Sequence, residues 1–363
     1  MEYINVGINI SRKAVNRLEE DDLLEVEAVI SNNSYLPLVS FVLEDNLTCA
    51  EPRERKRLFL IDYLGPRSSF RLEYDCLCPQ RGKYRLGPIT IYFCDPLGLF
   101  FLKRVYNVFS DVYVYPKTFI IRKFPRLVKG SLPWFGIETA RRSGDDDEFF
   151  GTREYKEGDP IRRIHWLSTA RKNKLIVKQF QSQSYFRATI IFNLNKDNNF
   201  GEGKESVAEY IIKIVASTAK HLLEEGVSLE IIAHVGEIVH IPFNKGPEYL
   251  EEILRFLTVA QAESRVNLGE VFEEFNRYVP NDSSLIVVML DKEWEHLQAM
   301  FSLNKRNISL IPLILTSATF LYSVATQRTA IVRDVGLKLS QELNLAPILF
   351  SRGDSLEEVF LKI

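Results

Sequence analysis

From about residue 186 to the C terminus, short β-branched apolar runs alternate with amphipathic stretches, a rhythm that few folds accommodate. "RATIIFN" reads as a buried strand. "ESVAEYIIKIVASTAKHLLEEG" sets Val207, Ile211, Ile214, Thr218 and Leu222 at helical spacing along one face, and Gly226 suits its C-terminal end. "VSLEIIAHV" and "IVHIPF" flank Gly236-Glu237 as a hairpin. Pro247 opens the helix "PEYLEEILRFLTVA". A helix near 268–279, strand "SLIVVML", helix "EWEHLQAMF", strand "ISLIPLIL", helix "IVRDVGLKLSQEL", strand "PILF" and helix "SLEEVFLKI" complete the series. This alternation predicts a Rossmann-type α/β unit over 186–363, its mostly parallel sheet covered on both faces, with one antiparallel edge from the hairpin.

Residues 1–120 carry a different pattern. "LLEVEAVISNN", "PLVSFVLEDN", "RKRLFLIDYL", "FRLEYDCLC" and "ITIYFCDP" are short strand-like runs separated by Pro, Gly and Asn. They predict an all-β, immunoglobulin-like sandwich. In "QRGKYRLGPITIYFCDPLGLF", Gly82 and Gly87 permit backbone that other residues resist, and Pro96 with Gly98 marks a second corner. Residues 121–185 then read as a connector. Its first part is loop-like, with the acidic run Asp145, Asp146, Asp147 and Glu148.

Net charge is −2, so no global field draws the chain to nucleic acid or lipid, and any electrostatic grip is local. The four cysteines, Cys49, Cys76, Cys78 and Cys94, lie in the first third. Cys76 and Cys78 share a strand face, but no Cys-x-x-Cys pair supports zinc, and reduced, partly buried thiols are the expectation. No window approaches about eighteen consecutive apolar residues, and "MEYINVGINISRK" lacks the form of a secretory signal. The expected address is the cytoplasm, with membrane association through partners left open.

The most concentrated chemistry lies at 151–180. "GTREYKEGDPIRRIHWLSTARKNKLIVKQF" gathers basic side chains around His165 and Trp166, opposed by Glu154, Glu157 and Asp159. Asp159 and Pro160 suit a helix start, so "PIRRIHWLSTARK" predicts a short helix with Ile161, Ile164 and Leu167 facing the core. The stretch resembles the signature of the domain-of-unknown-function family 58: Arg153, Glu154, Tyr155, Gly158, Asp159, Arg162, Arg163, Ile164, Trp166, Ala170, Arg171, Val177 and Lys178 match it. "RGKYRLGPITIYFCDPLGLF" is similar to that family's upstream segment. The resemblance implies a von Willebrand factor A-like domain after the signature and a β-rich region before it. It also implies partnership with a MoxR-type AAA+ ATPase and no defined catalytic activity.

An A-type domain often holds a divalent cation in a metal-ion-dependent adhesion site at the carboxyl edge of its sheet, with Asp-x-Ser-x-Ser, a later Thr and a later Asp as ligands. Mg²⁺ suits such hard oxygen donors. The matching positions here are Asn193, Asn195 and Asp197, then Asn267, then Asp291. Only Asp291 keeps the pattern, so the site reads as degenerate. If any metal binds, Asp197 and Asp291 supply the charge; otherwise no cofactor is expected and the positions form a polar rim.

Three readings of the basic segment stay open. In the first it is a structural clamp: Arg153, Glu154, Arg162, Arg163 and Arg171 pair across the domains, Trp166 fills the junction, and Tyr155, Gly158, Asp159, His165 and Lys178 complete it. In the second it is a docking surface for a protein. In the third it belongs to a nucleic-acid-binding or hydrolytic protein, with basic groups interleaved with Tyr155, His165 and Trp166. His165 beside Ser168 or Asp159 is a weak catalytic signal, and neither a Gly-x-Ser-x-Gly elbow nor a phosphate-binding loop is present. His234 and His240 flank the hairpin turn and read as sheet or surface residues. The expected function is that of a non-enzymatic adaptor for a protein partner, with no nucleic acid and no direct membrane span.

Overall fold

The computed structural model describes residues 7–94, 101–127, 129–130, 149–156, 164–180, 185–275, 279–280, 283–296, 308–321 and 347–361. The N-terminal part is β-rich. It comprises β1 (Ile8–Ala14), β2 (Arg17–Glu19), β3 (Leu23–Asn32), β4 (Leu38–Asn46), β5 (Lys56–Leu64), β6 (Ser68–Leu77), β7 (Gly82–Leu86), β8 (Ile89–Cys94), β9 (Phe101–Tyr106) and β10 (Ser110–Tyr115). The sheet orders are β1-β3-β6, β2-β10-β7 and β5-β4-β8-β9. Alternation explains the layering. Along β3, Leu24, Val26, Ala28 and Ile30 are buried, whereas Leu23 and Glu25 are exposed. Two cores result, one around Leu24, Leu86 and Val114, the other around Ile30, Phe41 and Ile91.

A buried ion pair pins the three sheets together. Arg12 occupies an inward position on β1 between Ile10 and Ala14. Its Nη1 lies 2.6 Å from Asp45 Oδ1 on β4, and both side chains are 0% exposed. Nη2 donates to the carbonyls of Leu86 (2.8 Å) and Val108 (3.0 Å), and Nε donates to Ser110 Oγ (3.2 Å). Tyr74 on β6 donates its hydroxyl to the other Asp45 oxygen. The Tyr74 phenol is pushed up by burial first and by the Asp45 charge second. A charge so deep is tolerable because hydrogen bonds compensate it on every side. Gly87, at φ +101°, makes room for this: a Cβ there would stand 2.2 Å from the Val108 carbonyl.

The chain continues through β11 (Lys129–Gly130), β12 (Phe149–Glu154), helix α1 (Trp166–Lys172), β13 (Ile176–Phe180), β14 (Tyr185–Asn193) and α2 (Val207–Glu224). Then follow β15 (Ser228–His234), β16 (Ile238–Asn244), α3 (Pro247–Val259), α4 (Leu268–Phe275), β17 (Ser284–Leu290), a 3₁₀ turn (Asp291–His296), β18 (Ser309–Leu315), α5 (Ser317–Leu321), β19 (Ile348–Phe350) and α6 (Leu356–Leu361). The main sheet runs β16-β15-β14-β17-β18-β19, with β11 pairing the start of β14. Every neighbouring pair on that path is parallel except β15 with β16, the antiparallel edge that the hairpin pattern indicates. Both faces are buried. Ile190 and Phe192 of β14 and Ile286 and Val288 of β17 enter the core under α2 and α3, while Ile191, Leu285 and Val287 enter the core under α4. All five residues assigned to one face of α2 are buried. The helix "IVRDVGLKLSQEL" and the corner at Pro96 and Gly98 fall outside the described residues, as does the acidic run 145–148.

The β-rich and α/β parts meet at Arg81, in the turn before β7. Its guanidinium forms a fork on Glu209 of α2 (2.8 and 2.9 Å) and donates to the carbonyls of Leu257 (2.7 Å), Thr258 (3.0 Å) and Ala260 (2.7 Å) at the end of α3. One side chain thus satisfies orphan carbonyls of a helix C terminus and meets its negative dipole end. Around it, Lys213 of α2 lies 3.3 Å from Glu20, Arg17 lies 2.8 Å from Glu251 of α3, and Lys204 pairs with Asp21.

Candidate functional site

In the main sheet β14 is followed by β15 on one side, while β17 lies on the other. The chain therefore reverses its direction of winding at β14, and the carboxyl end of such a strand opens the crevice that α/β folds use for ligands. Asn193 ends β14, and Asn195 and Asp197 follow it. Asn193 Nδ2 and Asn195 Nδ2 both donate to the carbonyl of Val266, at 2.8 and 2.9 Å. Asn195 Oδ1 accepts from Asp197 N at 2.8 Å. The backbone completes the joint: Lys196 N donates to Ser264 O, and Ser264 N to Leu194 O. Asn193 and Asn195 are buried, while Asp197 and Asn267 are exposed. Asn267 starts α4; its carbonyl accepts from Glu270 N and Val271 N, and its own N–H donates to Glu270 Oε1.

Asp291 has a hydrogen bond of its own. Its Oδ1 accepts from Ser317 N at 3.1 Å, tying the end of β17 to the start of α5. Glu293, which the sequence reading passed over, is the carboxylate at the heart of the rim. It is 7% exposed, accepts from Leu290 N (3.2 Å) and from Asn198 Nδ2 (3.3 Å), and lines a small recess with Asn193, Asn195 and Asn199. A carboxylate two residues after Asp291 was the only available signal. Asn193 Oδ1 is the one rim amide oxygen that is buried without a hydrogen-bond partner.

These donors do not fit a divalent cation. Asn193 Oδ1 is an unpartnered oxygen, but Asn195 Oδ1 accepts from Asp197 N, Asp197 is on the surface, and Asp291 Oδ1 accepts from Ser317 N. Among the described residues no group of three or more His, Cys, Asp or Glu side chains is arranged to hold a metal. The chemistry of the rim is that of a self-braced polar edge.

The basic segment is a folded unit of its own. β12 and β13 pair antiparallel, setting Thr152 opposite Lys178, Arg153 opposite Val177 and Glu154 opposite Ile176. The Arg-Glu-Tyr and Val-Lys ends of the signature are therefore neighbours in space. Tyr155 N donates to Leu175 O, and Ile164 bridges to Val177. The helix is shorter than the sequence suggests. It begins at Trp166, with His165 as its cap: His165 Nδ1 accepts from Ser168 N and lies 2.6 Å from Ser168 Oγ. Ile164, expected in the helix, is committed to the bridge instead.

Two expectations for this helix are corrected. Trp166 is 65% and Leu167 63% exposed, so the indole fills no junction and Leu167 faces no core. Arg171 is exposed at the helix end, where cations complement the dipole. Lys174 pairs with Glu154 at 2.9 Å on the surface, and Arg153 Nη1 donates to Glu154 O. Gly158, Asp159, Arg162 and Arg163 lie outside the described residues, and of Lys178 only the backbone is described. Among the described residues, Arg81 and Arg17 are arginines that reach across from the β-rich part to the α/β part. Of the hairpin histidines, His240 Nε2 lies 2.7 Å from the buried Glu230, which also accepts from Thr189; His234 is buried in β15.

Comparisons with known proteins agree with the resemblance read from the signature. The uncharacterized protein YeaD of Bacillus subtilis (strain 168) is 20% identical over 257 residues, covering 68% of this chain and 61% of that protein. The chain thus spans about three fifths of this curated relative's length. Among solved structures, a CARDB domain from Pyrococcus furiosus is similar at 18% identity, covering 30% of this chain and 93% of that one, with a TM-score of 0.23. The putative ApaA protein of Bordetella pertussis is similar at 13% identity, covering 30% and 94%, with a TM-score of 0.20. No helix among the described residues is long and apolar enough to cross a membrane. Residues 151–311, which hold both the basic segment and the rim, match the model of the family described as protein of unknown function DUF58, the family that the signature resembles.

Proposed function

We propose that this chain is a non-enzymatic adaptor, in which an immunoglobulin-like sandwich carries a von Willebrand factor A-like α/β unit that docks a protein partner at its carboxyl rim. The partner proposed is a MoxR-type AAA+ ATPase. One observation supports this reading most: Asn193 and Asn195 converge on the Val266 carbonyl. The rim is thereby braced by its own amides and needs no ion to hold its shape. It presents Asp197 and Asn267 to solvent from a rigid base, and a preorganised surface loses less freedom on binding. The test is titration of the full chain with a purified MoxR-type ATPase, with Mg²⁺ and with chelator. The expected result is binding that survives the chelator and weakens about tenfold or more in Asp197→Ala/Asn267→Ala, as for contacts at an interface centre. Undiminished affinity in that variant refutes the assignment.

The exposure of Trp166 and Arg171 on α1 favours a second reading, in which the basic segment stacks and neutralises single-stranded nucleic acid. Recovery of nucleic acid from cells by the full chain, lost in Trp166→Ala, selects that reading over the adaptor. The hydrolytic variant of it is weaker, because the His165–Ser168 pair is engaged in capping α1.

A further inference from the structure

β5 stands at the edge of the sheet β5-β4-β8-β9. β4 pairs with it along its length, and among the described residues no strand pairs its other side. Such an edge leaves alternate backbone N–H and C=O groups without a ladder partner, and proteins guard it with a charge turned inward, with proline or with lysine. Other edges of this chain follow that rule. β1 turns Arg12 inward, β9 sets Lys103 beside Arg104, and β16 carries Pro242. β5 is 9 residues long, and from Leu58 to Ile61 it has neither charge nor proline. Phe59 and Ile61 face the core: Ile61 is buried, and the Phe59 ring lies 4.8 Å from that of Tyr74. Leu58 and Leu60 face out, 61% and 67% exposed.

The sequence of this strand is complementary to itself. Set two copies antiparallel with Phe59 opposite Phe59, and Leu58 of each stands opposite Leu60 of the other, while Lys56 stands opposite Asp62. Twofold symmetry makes each of these pairs twice. Opposed side chains in an antiparallel pair have Cβ atoms about 4.5–5.5 Å apart, close enough for apolar and opposite-charge pairs to stabilise it. Lys56 and Asp62 are both exposed, and among the described residues no ion pair engages either. Neighbouring registers lose the match. A slip of two residues sets Leu60 against Lys56 in one direction and Leu58 against Asp62 in the other. A slip of one sets outward residues against inward ones.

We propose that β5 is a self-association edge: two copies of this chain pair their β5 strands antiparallel about Phe59 and join their sheets into one. The occupant is a second copy because the charges at the two ends of the strand, Lys56 and Asp62, answer each other across the twofold axis. Main-chain hydrogen bonds between the open edges supply the attraction, as in other strand additions. The outward leucines cover one another, and the charged ends fix the register.

The test is sedimentation equilibrium of the intact chain from about 1 to 100 µM, where an interface of modest affinity shows both species. The expected result is a reversible monomer–dimer equilibrium. Leu60→Lys is expected to be monomeric throughout, with an unchanged thermal midpoint as the check on folding. Lys56→Asp and Asp62→Lys are each expected to weaken association about tenfold, since either sets like charges opposite one another at two places. Lys56→Asp/Asp62→Lys is expected to restore it, because the exchange re-forms both pairs with their signs reversed. A wild-type chain that stays monomeric overturns the proposal. So does a dimer that a folded Leu60→Lys chain still forms, single charge variants that associate like the wild type, or a double variant as weak as the singles. Should Leu60→Lys fail to fold, the charge exchange decides alone.

Discussion

At the scale of single residues, the rim turns on the difference between an amide and a carboxylate. Asn195 donates to the Val266 carbonyl with Nδ2 and accepts from Asp197 N with Oδ1, so both ends of the amide are used. An aspartate keeps the acceptor but sets an anion against the carbonyl oxygen. Asn195→Asp is therefore expected to cost about 1–3 kcal/mol, the range for a buried group left without its partner. Chemical denaturation followed at the α/β unit checks it, and a wild-type midpoint refutes it. The positions of this rim were assigned from the pattern that the family resemblance implies, and the run "NLNKDNN" suits the turn at the end of an apolar strand. Which way each amide points was not legible, since the acceptor is a backbone carbonyl some seventy residues away. Arg12 left a clearer trace. It falls between Ile10 and Ala14 on the inward side of an alternating strand, where a charge implies a buried partner.

At the scale of elements, local rules carried most of the pattern and failed where pairing is distant. The end of α2 was legible: Gly226 adopts φ +75°, Gly226 N donates to Leu223 O, and Val227 N donates to Leu222 O, the paired bonds of a Schellman stop. A Cβ at Gly226 meets nothing within 4 Å, so substitution has no steric component. Gly226→Ala is then expected to destabilise by about 1–2 kcal/mol, the cost of a left-handed L-residue alone. A larger loss, read from thermal unfolding, means a contact the backbone geometry does not account for. β12 shows the opposite case. "FFGTRE" has no alternation to mark it, and it becomes a strand because β13 supplies its hydrogen bonds. Likewise the helix described here begins at Trp166, with His165 as its cap, while Asp159 and Pro160 lie outside the described residues.

At the scale of the whole molecule, the question is which residues make one body of a β-rich part and an α/β part. The sequence directs attention to the basic segment, where cations are dense. Among the described residues the structure shows such a role at Arg81, a cation between Gln80 and Gly82 that looks like any solvated turn residue. Only the fold brings it to Glu209 and to three carbonyls ending α3. The side chain is 7% exposed, so its removal leaves the Glu209 carboxylate and the carbonyls short of donors in a partly dry setting. Lysine cannot replace it, because an ammonium does not fork onto a carboxylate and reach carbonyls on either side. Arg81→Ala and Arg81→Lys should both weaken the joint, by about 3 kcal/mol or more for the alanine, in line with a buried pair broken on one side. The surrounding pairs of Arg17 with Glu251 and of Lys204 with Asp21 are more exposed and soften the loss little. Hydrogen exchange separates this from general destabilisation. The expected gain in exchange is confined to the end of α3, the start of α2 and the turn at 20–22, with the interior of β14 and β17 unchanged. Uniform acceleration across the sheet would mean that Arg81 stabilises the α/β core itself rather than the junction.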